Sequence, residues 1–138
     1  MLIIIDANVA HKFTANSNDA RAVINWLKKD GKLSAGGLNL QELLKTRIGS
    51  FVQELKKSGR MIICPSEKIL LAQSSIDKTK LKSDDPHVLA LAVAGGGRIL
   101  FSLDQPLIHD FTSPDILPKP RGKCYKNCLD HIHLLQRT

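Results

Sequence analysis

The chain opens on an uninterrupted apolar run, Leu2 to Ile5, that ends at Asp6-Ala7-Asn8. Apolar residues without alternation predict a central parallel strand covered on both faces. Asn18-Asp19 then begins a helix in which Ala22, Val23, Trp26 and Leu27 recur at helical spacing, with Gly31 placed to end it. Lys32 to Gly37, a stretch of small residues, predicts a second strand. One long helix is expected from about Asn39 to Ser58, because Leu40, Leu43, Leu44, Ile48, Phe51, Val52 and Leu55 form a single apolar stripe before Gly59. Arg60 to Cys64 predicts a third buried strand closed by Pro65, and Ser66 starts a helical stretch through Ile69 and Leu70. After a basic linker, Asp85-Pro86 opens a helix with Val88 to Ala94 as its apolar body and Gly95-Gly96-Gly97 as its stop. Arg98 to Phe101 makes a fourth strand that runs into Ser102-Leu103-Asp104.

Strands alternating with helices in this order predict an α/β fold of three layers, a central parallel sheet with helices on both faces. A chain of 138 residues suits a single domain over 1–138. Beyond Asp110 the pattern weakens. Pro114, Pro118 and Pro120, with Lys119, Arg121, Lys123 and Lys126, predict a basic loop or extended tail, and Leu129 to Leu135 a last short element. The basic segment 119–138 therefore has no assigned place in the sheet.

Charge narrows the partners. Twenty Lys and Arg against 13 Asp and Glu give a net charge of +7, which favours polyanions. Lys28, Lys29, Lys56 and Lys57 read equally well as solvated helix faces. Lys78, Lys80 and Lys82, just ahead of an acidic pair, and Arg121 and Lys123 in the tail are the candidate phosphate contacts. Cys64, Cys124 and Cys128 make no disulfide framework, which fits a reducing cytoplasm. The opening apolar run lacks a basic leader and is cut by Asp6, so no membrane association is expected. Cys124, Cys128, His131 and His133 are zinc-ligand types, but their spacing is not that of a common finger.

The chemistry concentrates in acids. In an open parallel sheet ligands gather beyond the carboxyl ends of the strands, where Asp6 and Asp104 both fall. Asp85, at a helix entrance, and Glu42, expected in the first turn of the long helix, are within reach of that region. Taken singly, Asp85 reads as an N-cap, Asp104 as a turn residue and Glu42 as an exposed charge opposite its apolar stripe. Taken together, four carboxylates repel unless a cation joins them, and oxygen-only ligands favour Mg²⁺ or Mn²⁺.

Asp6-Ala7-Asn8 after an apolar strand, Glu42-Leu43-Leu44, Asp85-Pro86-His87-Val88-Leu89-Ala90-Leu91-Ala92 and Ser102-Leu103-Asp104, in this order and spacing, resemble the PIN-domain pattern across most of the chain. The length is similar to that of VapC-type toxins of that superfamily. The resemblance implies a PIN-like three-layer fold and a Mg²⁺- or Mn²⁺-dependent endoribonuclease, with Asp6, Glu42, Asp85 and Asp104 as catalytic and metal-binding acids. It further implies Asn8 and Ser102 as supporting polar residues. Adjacent Asp84 offers a second carboxylate for the third acidic position, although the register with Pro86 to Ala92 favours Asp85. RNA, an antitoxin protein and a second copy in a homodimer are the partners implied. The alternative is a PIN-like module that binds RNA or protein without cutting. A haloacid-dehalogenase-type phosphotransferase needs an acid where Asn8 stands, and a receiver-like phosphoacceptor needs its paired acids near the first strand.

Overall fold

A computed structural model describes residues 1–136, so Arg137 and Thr138 at the end of the basic segment lie outside the described residues. Five strands form one all-parallel sheet in the order β3-β2-β1-β4-β5: β1 is Leu2–Ile5, β2 Lys32–Ala35, β3 Met61–Ile63, β4 Ile99–Phe101 and β5 Lys123–Tyr125. Eight α-helices accompany them among the described residues: α1 Ala10–Thr14, α2 Asn18–Lys29, α3 Gly37–Lys45, α4 Gly49–Lys57, α5 Ser66–Ser75, α6 Pro86–Gly95, α7 Gln105–Thr112 and α8 Cys128–Leu135.

Strand alternation divides the core in two. Ile3, Ile5, Leu33, Phe101 and Tyr125 face a layer built from α2, α3, α4 and α8, where Val23, Leu27, Leu43, Val52 and Leu134 are buried. Ile4 and Leu100 face the opposite layer of α5, α6 and α7, through Ile69, Leu89, Leu107 and Phe111. Residues Val88 to Ala92 of α6 are all buried, as expected of a helix without a polar face in its middle. The three-layer α/β architecture read from the sequence is therefore the observed one. Among the described residues no helix is long and apolar enough to cross a membrane.

The departures have local causes. The long helix expected over Asn39 to Ser58 is two helices. The Thr46 hydroxyl donates to the Leu43 carbonyl at 2.7 Å and accepts from Ile48 N–H at 3.3 Å, taking up groups the helical ladder would use. Thr46 is extended (φ −85°, ψ 173°), and Gly49 then lets α4 start so close that a Cβ there would meet the Leu44 carbonyl oxygen at 2.6 Å. Strand β3 is a sheet edge, with Ile62 and Ile63 exposed rather than buried.

Residues 113–122 form the expected loop and α8 the expected last short element, but between them the tail joins the sheet. Lys123–Tyr125 pairs with β4 as the fifth strand, and Tyr125 is fully buried against Phe101, the rings edge-on with centroids 5.1 Å apart. The Tyr125 hydroxyl donates to the Asp19 carbonyl at 2.9 Å, and Asp19 Oδ1 accepts from Cys128 N–H at 2.7 Å, so α2 anchors both sides of the β5–α8 junction. Helix α7 was also unpredicted. Asp104 caps it by accepting from Leu107 N–H at 3.3 Å, and Pro106 lies in its first turn, where a missing N–H costs nothing.

Candidate active site

With β1 central, the chain builds outward through β2 to β3, then returns to place β4 on the other side of β1. The β1/β4 boundary is the switch point of the sheet, where adjacent connections diverge and leave a crevice beyond the strand ends. Asp6 follows β1 directly, and Ser102 and Asp104 follow β4. Asp6 N–H still donates to the Phe101 carbonyl at 3.0 Å, so the pairing of the two strands continues to the lip of the crevice.

Ser102 organises this lip. Its fully buried hydroxyl donates to Asp6 Oδ2 at 2.9 Å and accepts from Asp104 N–H at 3.1 Å. One side chain thereby orients the first carboxylate and fixes the backbone that carries the second. Burial pushes the Asp6 carboxyl above its usual range, and the charges of Asp104 and Glu42 push the same way. The Ser102 hydroxyl and the Asn8 backbone N–H pull it back.

Asp85 stands at the start of α6, half-buried, with no side-chain bond to that helix's own N–H groups. Burial raises its carboxyl, as do Asp6 and Asp104, while His87 lowers it. Asp85, rather than exposed Asp84, is the acid that faces the other two. The loop that leads to it is held by a residue the sequence did not single out. Asp110, completely buried in α7, accepts from Lys82 N–H at 3.0 Å, from Ser83 N–H at 2.8 Å and from the Ser83 hydroxyl at 2.8 Å. Nothing in the pattern marked Asp110, because an acid on a short unpredicted helix reads as solvated.

Glu42 lies in the second turn of α3, not the first, because α3 begins at Gly37. Buried Asn39 donates to the Ile5 carbonyl at 3.0 Å, and Glu42, three residues on, shares that side of the helix. Glu42 Oε1 meets His87 Nε2 at 3.3 Å, linking α3 to α6 at the edge of the crevice. Asn39 and His87 are thus two further positioning residues. A clue to His87 was its place in the first turn of the helix that starts after Asp85.

Among the described residues, no Lys or Arg forms an ion pair with Asp6, Asp85 or Asp104. Nor do any three His, Cys, Asp or Glu side chains stand close enough to cage an ion unaided. The acids feel one another's charge but form no closed cage among the described residues. Cys124, Cys128, His131 and His133 make no cage either. The Cys124 thiol, pushed up to about 11 by burial, donates to the Ser102 carbonyl at 3.7 Å, and His131 Nδ1 accepts from Lys126 N–H at 3.2 Å.

The polar candidates divide. Asn8 is exposed on the turn after β1, with its backbone N–H turned to Asp6. Lys78 borders a hollow beside α5 with Leu70 and Gln73. Lys80 borders a cleft with Val93, near the far end of α6 and about 12 Å along that helix from Asp85. Lys82 is exposed, its backbone held by Asp110. Arg121 and Lys123 line a groove between α7 and α8. No family model matches the chain, and neither curated proteins nor solved structures give a significant match.

Proposed function

We propose that this chain is a divalent-metal-dependent endoribonuclease of the PIN type, hydrolysing RNA phosphodiester bonds in the crevice between β1 and β4. The observation that carries this reading is the shared field of Asp6, Asp85 and Asp104 at the switch point, with Glu42 at its margin and no Lys or Arg paired to the three aspartates among the described residues. Carboxylates that must ionise side by side call for a counter-charge. An all-oxygen donor set selects Mg²⁺ or Mn²⁺, and a site without a closed cage suits Mg²⁺, which takes one or two carboxylates and completes its shell with water and substrate phosphate.

One or two of Asp6, Asp85 and Asp104 would hold the ion, with the remaining acid and Glu42 bordering it. A bound ion supplies an activated water and neutralises charge at the phosphate and leaving oxygen. The chain's own residues do the positioning. Ser102 fixes Asp6 and the Asp104 backbone, Asp110 sets the approach to Asp85, and His87 steadies Glu42.

A toxin restrained by an antitoxin protein in the cytoplasm is the narrower form of this proposal, and growth arrest on expression, relieved by the product of a neighbouring gene, tests it. A homodimer belongs to the same proposal, and a monomeric mass by light scattering removes it. One observation favours the second reading, a module that binds RNA or protein without cutting: no three potential ligands converge among the described residues.

The deciding experiment incubates the protein with a labelled structured RNA pool in Mg²⁺, Mn²⁺ or EDTA, beside Asp6→Asn. Ion-dependent cutting lost in the variant supports the nuclease. RNA bound equally in EDTA and left intact under every ion supports the binding module.

A further inference from the structure

The free edge of β5 is walled into a groove of about 500 Å³ by α7, through Ile108 and Thr112, and by α8, through His131 and His133. Its charged lining is Arg121, Lys123 and Lys126, and among the described residues no carboxylate belongs to that lining. The groove runs along β5 from the end that meets Ser102, where Cys124 lies, toward its start, where Lys123 pairs with Ile99. Asp104 caps α7, and Ile108 and Thr112 follow at one and two turns, so the wall runs about 12 Å from the acids. On the floor, Cys124 donates to the Ser102 carbonyl, and the Ser102 hydroxyl holds Asp6. The field reverses sign over this short path.

The groove also presents ring faces. His131 and His133 lie with centroids 6.5 Å apart and planes tilted by 47°, and Tyr125 backs His131 at 6.5 Å. Cations that follow a backbone, interleaved with flat rings on which bases stack, are the recurring means of holding single strands. An acidic protein segment would use the cations but has no need of paired rings.

We infer that this groove carries a single-stranded RNA segment flanking the scissile bond, with Lys123, Lys126 and Arg121 on phosphates and His131 and His133 against bases. The inference deepens the nuclease reading and rests on it for where the bond is cut, while binding itself requires no ion. It assigns the strand to the β5 edge and not to Lys78 and Lys80.

The test is fluorescence anisotropy of a short labelled oligouridylate with the full chain in EDTA over a salt series. The double variant Lys123→Gln/Lys126→Gln should lower the salt slope by about 1.4, roughly 0.7 for each lost phosphate contact to a single strand. His133→Ala should weaken binding about fivefold or more with the slope unchanged. Lys28→Gln/Lys29→Gln on α2 should alter neither. Lys126→Gln, which lies outside β5, gives half the slope change should the double variant unfold.

No binding in EDTA, or equal slopes for the groove and α2 variants, would overturn the inference. So would displacement by polyglutamate with His133→Ala at wild-type affinity, which would mark the groove as a seat for an acidic protein. Groove-dependent binding without cleavage under any ion would uphold the groove and sink the nuclease reading alone.

Discussion

The hydroxyl of Ser102 and the carboxylate of Asp6, ninety-six residues apart in sequence, meet at 2.9 Å where β1 and β4 end side by side. Ser102 has no exposed surface, so its own side of this bond is closed to water. Ser102→Ala leaves Asp6 Oδ2 and Asp104 N–H without their shared partner, at a cost of about 1–3 kcal/mol in stability. It also removes a bond that favours the ionised form of Asp6, so the Asp6 carboxyl rises further. The acid limb of ion-dependent cleavage should therefore shift to higher pH, and a pH–rate profile of the variant reads that shift. An unmoved acid limb with reduced stability would leave Ser102 a packing role only.

Asp6 itself has a linked consequence. Its folded carboxyl lies above the ordinary value of 3.8, so the native state binds that proton more tightly than the unfolded chain does. This group's contribution to stability is most favourable below 3.8 and declines as pH rises through the folded value. Asp6→Asn keeps an acceptor for Ser102 and removes that decline, so in EDTA the variant should be more stable than wild type at neutral pH. Mg²⁺ should raise the wild-type Tm, by about 2.7 kcal/mol of stabilisation at a hundredfold excess over its dissociation constant, and should barely move the variant. Thermal unfolding of both proteins with and without the ion checks the two signs together.

The Glu42–His87 contact spans α3 and α6 at 3.3 Å, with His87 the more buried partner. Part of the pair is open to solvent, so its share of stability is at most about 1 kcal/mol. Its effect should instead be on cleavage, through where Glu42 points. Glu42→Gln and His87→Gln should each slow cutting by roughly three- to tenfold, and the double variant should be no slower than the worse single one. Additive losses would show that the two side chains act separately.

Asp110 makes a sharper case. Replacing it by Asn turns an acceptor pair into one acceptor and one donor, and the donor must then face Lys82 N–H or Ser83 N–H inside the protein. The expected loss is roughly 2–4 kcal/mol, with faster hydrogen exchange at the Lys82 and Ser83 amides. Cleavage should fall because Asp85 follows that loop, while RNA affinity in EDTA should hold. Unchanged exchange at both amides would show that Asp110 does not hold the loop.

These positions also mark how far the sequence could be read. Ile3 to Ile5 announced a central strand because nothing but a covered sheet suits so many apolar neighbours, and three of the four acids fall at the strand ends or helix starts this implied. Thr46 was opaque, since the apolar stripe continued in register across a break made by one hydroxyl and one glycine. Helix α7 was hidden because Pro106 reads as a breaker, although a first-turn proline after an Asp cap is a start signal. With α7 unseen, nothing in the pattern singled out buried Asp110. β5 escaped because three residues carrying one Lys make no pattern, and its identity rests on long-range partners, Phe101 and Asp19.

The tail's membership of the core can be tested at Gly122. A Cβ at this residue would run into the Phe111 carbonyl oxygen and the edge of its ring, both held in α7, which is itself capped by Asp104. Neither obstacle is the end of a flexible side chain, so β5 would have to lift from β4 or α7 would have to shift. Gly122→Ala should therefore cost about 3 kcal/mol or more, whereas Lys119→Ala on the exposed approach to β5 should stay within about 0.5 kcal/mol of wild type. Because α7 and β5 flank both the crevice and the groove, the same substitution should weaken oligouridylate binding in EDTA even at temperatures where the chain is folded. Urea unfolding of the two variants beside wild type reads the first effect and anisotropy the second. A wild-type midpoint for Gly122→Ala would mean that the tail does not pack beneath α7.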